Sequence, residues 1–172
     1  MSTNYPLKNQ FFNEKEQIGI ELFDFLSRNK PEFKHVHFMY EGCPYDIKGR
    51  SGNTLFIGEI KVRIANLDTT IRNGPYCEFL KWAGMKKQAD KIERTKNIKI
   101  RLLYLNFVSD GIAIYELKDI KSELFEWKML PESNLDFTLI DKYVTKLYDP
   151  IEIIRYSEIN IGSHGTLKIS EK

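Results

Sequence analysis

The chain has 172 residues, of which 42% are hydrophobic and 29% charged, and 26 Lys and Arg against 24 Asp and Glu leave a formal net charge of +2. That length suffices for a single domain with a real core, and that composition reads as a soluble globular chain that needs neither disorder nor a membrane span, with a net charge too small to demand a polyanionic partner. No stretch reaches the roughly 18 uninterrupted apolar residues of a membrane span, and the opening MSTNYPLKNQFF lacks a basic region followed by an apolar one, so the expectation is a cytoplasmic protein.

In chain order, Asn13 is placed to cap a helix running to about Arg28, with Ile18, Leu22, Phe25 and Leu26 at helical spacing and Pro31 ending it. Short strand-like runs follow at His35–Met39, Tyr45–Lys48 and Leu55–Val62. The segment from Ile64 to Pro75 carries Asn66, Asp68, Asn73 and Gly74 and reads as a loop. A second helix is expected over Tyr76–Lys96, although Gly84 weakens its middle. Ile98–Val108 is β-branched and apolar, and Ser109-Asp110-Gly111 turns it into a second hairpin with Ile112–Leu117. Beyond these, helices are expected over Ile120–Met129 and Leu139–Leu147. The class is mixed α/β: a small central sheet flanked by helices, in the order αβββαβ over about residues 13–117, then C-terminal helices in an accessory segment, 118–172.

Cys43 and Cys77 stand apart without a second pair, which fits a reducing compartment and no zinc cluster. His35 and His37 alternate on one strand face, with no third ligand near them in sequence. Charge is unevenly spread. Between Lys81 and Arg101 eight basic residues stand against Asp90 and Glu93. That flank suits phosphates, or else a solvated helix face.

The stretch YDIKGRSGNTLFIGEIKVR, residues 45–63, carries the chemistry. Gly-Asn is a favoured two-residue hairpin loop because glycine accepts the positive φ of a type II′ turn. With Gly52-Asn53 as that loop, Ser51 opposes Thr54, Ile47 opposes Gly58, and Asp46 opposes Glu59. Period-two alternation puts Lys61 on the face of Glu59, while Tyr45, Ile47, Phe56, Ile60 and Val62 share the other, apolar face. Directly opposed like charges destabilise a hairpin unless a cation lies between them or one acid is protonated. Two carboxylates and a carbonyl, with Ile60 as the candidate, are hard oxygen ligands for Mg²⁺ or Mn²⁺. An ammonium beside that ion, Lys61, orients an attacking water or balances charge on a scissile phosphate. The alternative is a surface hairpin with a solvated salt bridge from Lys61 to Asp46 or Glu59. Acid-x-Lys by itself selects nothing, since it also begins at Glu32, Asp46, Glu116, Asp119 and Glu126.

Pro44-Tyr45-Asp46, a hairpin, and Glu59-Ile60-Lys61 in an αβββαβ order together resemble the PD-(D/E)xK nuclease superfamily, the restriction-endonuclease-like fold. The proline stands two residues before the acid, with Tyr45 between. The resemblance implies metal binding by Asp46 and Glu59 and assistance to the water by Lys61. It further implies an acid from the first helix, Glu16 by spacing with Glu21 as its competitor, and a Gln or Lys near the phosphate from the second helix, where Lys87 and Gln88 stand beside Lys86 and Lys91. Phe79, Leu80 and Trp82 read as packing residues, and Tyr40 and Tyr76 as the better base-stacking candidates. The expected function is Mg²⁺-dependent hydrolysis of DNA, with a homodimer as a plausible state. The alternatives are a relative that binds nucleic acid without turnover, and an RNA-cleaving enzyme.

Overall fold

The computed structural model describes residues 10–33, 35–39, 42–63, 65–75, 77–129, 140–144, 149–155, 158–159 and 169–170, with main chain alone at 10–17, 29, 51, 124, 126–129, 140–144, 158–159 and 169–170. The helices are α1 (Gln10–Asn29), α2 (Leu67–Asn73) and α3 (Phe79–Lys96). The strands are β1 (Val36–Phe38), β2 (Ile47–Ser51), β3 (Thr54–Val62), β4 (Ile100–Val108), β5 (Gly111–Glu116), β6 (Phe125–Met129), β7 (Ile140–Val144), β8 (Glu152–Arg155), β9 (Glu158–Ile159) and β10 (Ile169–Ser170). Six of them form one sheet in the order β1-β2-β3-β4-β5-β8. Only β3 and β4 run parallel in it, joined through α2 and α3, so the sheet is mixed. No helix among the described residues is long and apolar enough to cross a membrane.

Each face of the sheet carries its own core, as alternation requires. On one face Leu22, Phe23 and Leu26 of α1 cover Ile47, Phe56, Leu103, Leu105, Phe107 and Ile114. On the other, Trp82, Met85 and Ala89 of α3 cover Ile57, Leu102, Tyr104 and Tyr115, together with Leu67 of α2 and Phe125. The indole of Trp82 donates to the Leu117 carbonyl oxygen at 2.9 Å and its ring lies 4.8 Å from that of Phe125. Trp82 and Phe79 are therefore packing residues, whereas Leu80 between them is exposed.

The β2–β3 ladder keeps the register expected from the turn, from Ser51 opposite Thr54 to Ile47 opposite Gly58. The positive φ falls on Gly52, at 58°, and not on Asn53. The β4–β5 hairpin likewise closes with Val108 opposite Gly111.

Four local expectations are corrected. α1 begins before Asn13, which sits inside the helix, because asparagine costs little there and Gln10-Phe11-Phe12 offers no obstacle. Residues 64–75 hold the short helix α2: the Asn66 side chain accepts from Thr69 N at 2.8 Å, so the polar residues taken for loop punctuation act as a helix cap. Among the described residues the C-terminal helices are absent. Ser122–Leu124 is a 3-10 turn, and Phe125–Met129 and Ile140–Val144 pair as antiparallel strands. The run Phe-Glu-Trp-Lys-Met alternates with period two, which suits a strand.

At Gly111 an added Cβ would overlap the carbonyl oxygen of Ile154 in β8 and the Leu67 side chain of α2. Gly111→Ala must push β8 or α2 away, and a loss of about 1–3 kcal/mol in chemical denaturation is expected.

Candidate functional site

Glu59 and Lys61 lie two residues apart on β3, on the face that α3 covers, where Ile57 is already core. Glu59 is 2% exposed, so it is no surface acid. Lys61 Nζ lies 2.9 Å from its Oε1, and Lys81 Nζ, from the first turn of α3, lies 2.8 Å from its Oε2. The Lys81 contact is an ion pair, and no hydrogen bond is aligned on this buried oxygen. Burial pushes the Glu59 carboxyl up to about 6; Lys61 opposes this, the charge of Asp46 adds to it, and Lys81 opposes it again.

Asp46 stands just beyond the regular ladder. Its N–H donates to the Gly58 carbonyl oxygen at 2.9 Å and its own carbonyl accepts from Met39 N at 2.8 Å. Its Oδ2 accepts from Ile60 N at 2.8 Å. The direct cross-strand pairing of Asp46 with Glu59 is thus replaced by a bent arrangement that still leaves the two charges interacting. Ile60 meets Asp46 through its N–H. The same bend ends the alternation, so Tyr45 packs in the α3-side core and not beside Ile47 as the spacing predicts.

Glu78, at the N-cap position of α3, completes the cluster. Its side chain makes no capping hydrogen bond, and its Oε2 is buried without a hydrogen-bond partner. Burial works against the Lys61 ammonium, but Glu59, Glu78 and Asp46 together outweigh it and hold the group above its ordinary value. A cleft of about 410 Å³ opens here, lined by Pro44, Lys61, Glu78, Leu80, Lys81 and Gly84.

Behind the cluster, Arg63 at the end of β3 donates from Nε to Asn106 Oδ1 and from Nη2 to the Tyr104 hydroxyl, both at 3.1 Å. Asn106, fully buried, donates from Nδ2 to the Pro75 carbonyl oxygen at 3.2 Å. This tie fixes the segment entering α3, and with it Glu78 and Lys81, against the sheet.

Four of the remaining expected residues lie further along α3. Lys86 donates to the Lys118 carbonyl oxygen at 3.1 Å. Lys87 and Lys91 are exposed on α3, and Gln88 is half-buried. Glu16 falls within α1, but its side chain lies outside the described residues, whereas Glu21 is exposed on that helix. Tyr40 and Tyr76 lie outside the described residues. Glu78 and Gly84 escaped sequence reasoning, Pro44 entered it only through the motif, and Lys81 only as one of eight basic residues on a flank suited to phosphates; the i, i+3 pair of Glu78 and Lys81 at a helix start was the available signal.

For a divalent cation, Asp46 and Glu59 supply hard oxygens, although each Glu59 oxygen already carries a lysine ammonium, so an ion there would displace Lys81 from Oε2. Among the described residues no group of three or more His, Cys, Asp or Glu is arranged to hold a metal. Magnesium is commonly held by one or two carboxylates with water and phosphate completing its shell, and the two acids are of that donor type. Comparison with family models, with curated proteins and with solved structures gives no match.

Proposed function

We propose that the protein is a divalent-metal-dependent nuclease of the restriction-endonuclease-like fold that hydrolyses DNA phosphodiesters at Asp46, Glu59 and Lys61. The observation that carries this reading is Glu59, a buried carboxylate beside Asp46 with a lysine on each oxygen, next to an open cleft. Burying a charge opposes folding even when it is paired, and a strongly perturbed acid beside a cleft is the signature of a functional group. The element order around it supports the same reading.

Bound Mg²⁺ would contribute Lewis acidity and a more acidic water. Asp46 and Glu59 would hold the ion, with Asp46 fixed by the Ile60 N–H through Oδ2. Lys61, kept charged by its acidic neighbours, orients the attacking water and balances charge growing on the phosphate. Lys81 lines the cleft and, once an ion takes Glu59 Oε2, its ammonium would be released to a phosphate oxygen there.

A second reading, nucleic-acid binding without turnover, is favoured by the ion pairs themselves, since Lys61 and Lys81 balance Glu59 with no cation required. Incubation of the purified protein with plasmid and with single-stranded DNA separates the two. Cleavage or nicking with Mg²⁺ or Mn²⁺ that EDTA abolishes is expected. Binding with no cleavage in any metal would replace the first reading by the second, and faster loss of RNA than of DNA would reassign the substrate.

A further inference from the structure

Resting on the nucleic-acid reading above, we propose that the cleft beside Glu59 holds one unpaired nucleotide, its phosphate on Lys61 and Lys81 and its base against Leu80, so that single-stranded DNA is preferred over duplex.

Two residues at this cleft are not required by the fold itself. Leu80 is 72% exposed at the lip of the cleft, although Phe79 and Trp82 beside it are packed. Gly84, one turn further along α3, lies in the interior of that helix, where glycine costs about 1 kcal/mol relative to alanine. Its φ is not positive, and an added Cβ would meet only Pro44 Cβ at 3.5 Å, an ordinary contact. Gly19 of α1 differs, since a Cβ there would press on Ile60 Cγ2 at 3.1 Å. Neither backbone nor packing calls for a glycine at 84. What its missing side chain leaves is an open floor between Leu80 and Pro44.

The cleft offers an apolar lip, an open floor and two ammonium groups that a phosphate must take from Glu59, beside the lining acid Glu78, and these are the parts of a site for a phosphate with a ring attached to it. The volume, about 410 Å³, is that of a small-ligand site. A duplex keeps its bases stacked and paired inside and presents a sugar-phosphate rail, which needs cations but neither an apolar lip nor a hollow. A single strand offers a base face; stacking on aromatic side chains contributes about 1–3 kcal/mol per base with little sequence preference, and the aliphatic Leu80 supplies the lower end of that range through apolar burial. The exposed Lys87 and Lys91 fall on the helix face of Leu80 and Gly84, at positions i+7 and i+11 from Leu80. They extend the cationic line about 16 Å along α3, where neighbouring phosphates of the same strand would lie.

Fluorescence anisotropy in EDTA, with an oligo-dT strand and a duplex of equal length, tests this without requiring cleavage. The wild-type protein is expected to bind the single strand more tightly. Leu80→Ser and Gly84→Leu are expected to weaken single-strand binding about tenfold or more, with duplex binding changed less than about twofold. Gly84→Ala and Gly84→Leu are expected to keep or raise the melting temperature, because glycine leaves the helix, so that lost binding reports a filled cleft and not a lost fold. Equal losses on both probes, no loss on either, a wild-type preference for duplex, or no binding at all would overturn the inference. A protein that cleaves DNA but shows no single-strand preference keeps the nuclease reading alone. One that binds single strands through the cleft yet never cleaves keeps the inference alone.

Discussion

Lys61→Ala is expected to lower Mg²⁺-dependent cleavage about 10²- to 10³-fold, the scale seen when a single group that stabilises developing charge is removed. The ammonium lies 2.9 Å from Glu59 Oε1 and feels the charges of Glu78 and Asp46, so it sits beside both acids proposed to hold the ion, Glu59 and Asp46. The substitution also strips one of two cations from a buried carboxylate, and breaking a buried pair from one side is strongly destabilising in general. Lys81 remains on Oε2, and Lys61 is about one third exposed, both of which soften that cost. Lys61→Arg separates the effects. It keeps the charge and the partner for Glu59 but replaces a compact ammonium by a planar fork. A Lys61→Arg protein with wild-type melting temperature and cleavage reduced at least about tenfold would place the lysine in the chemistry. Cleavage by Lys61→Ala at wild-type rates would remove it from the site and end the nuclease reading.

The second large effect concerns pH. The Glu59 carboxyl, ordinarily near 4.5, is pushed to about 6 in the folded protein, chiefly by burial. The folded state therefore holds more protons than the unfolded state between these values. Without metal, the contribution of Glu59 to stability is fully present below pH 4.5 and is lost as pH rises through about 6, a change of about 2 kcal/mol. A metal ion reverses the sign, because it binds only the ionised carboxylate: its affinity is expected to fall about tenfold per pH unit below 6. Thermal denaturation from pH 4.5 to 7.5, with and without Mg²⁺, reads both effects. Relative to Glu59→Gln, the wild-type protein should lose stability with rising pH in EDTA and regain it with Mg²⁺ above pH 6. Identical pH profiles for wild type and Glu59→Gln, in EDTA and in Mg²⁺ alike, would show that Glu59 neither titrates in this range nor meets the ion.

By itself the sequence determined what depends on neighbours along the chain. Gly52 supplies the positive φ of the turn, the two-residue loop sets which residues oppose each other, and alternation places Glu59 and Lys61 on one face; the β2–β3 ladder has that register from Ser51 to Ile47. The bodies of α1, α3, β3, β4 and β5 follow from apolar period in the same way. Local pattern misled where two readings fit one composition, as at Asn66, a helix cap with the look of a loop, and at Phe125–Met129, a strand with the look of a helix. Tertiary structure alone decided that Asp46 leaves the ladder to bind the Ile60 N–H, that Tyr45 crosses to the α3-side core, and that Lys81, Glu78 and Pro44 converge on Glu59 and Lys61. Those contacts exist because β3 and β4 pair in parallel and α3 must cross over the sheet to join them. A parallel pairing brings together residues far apart in sequence, and no local period carries that information.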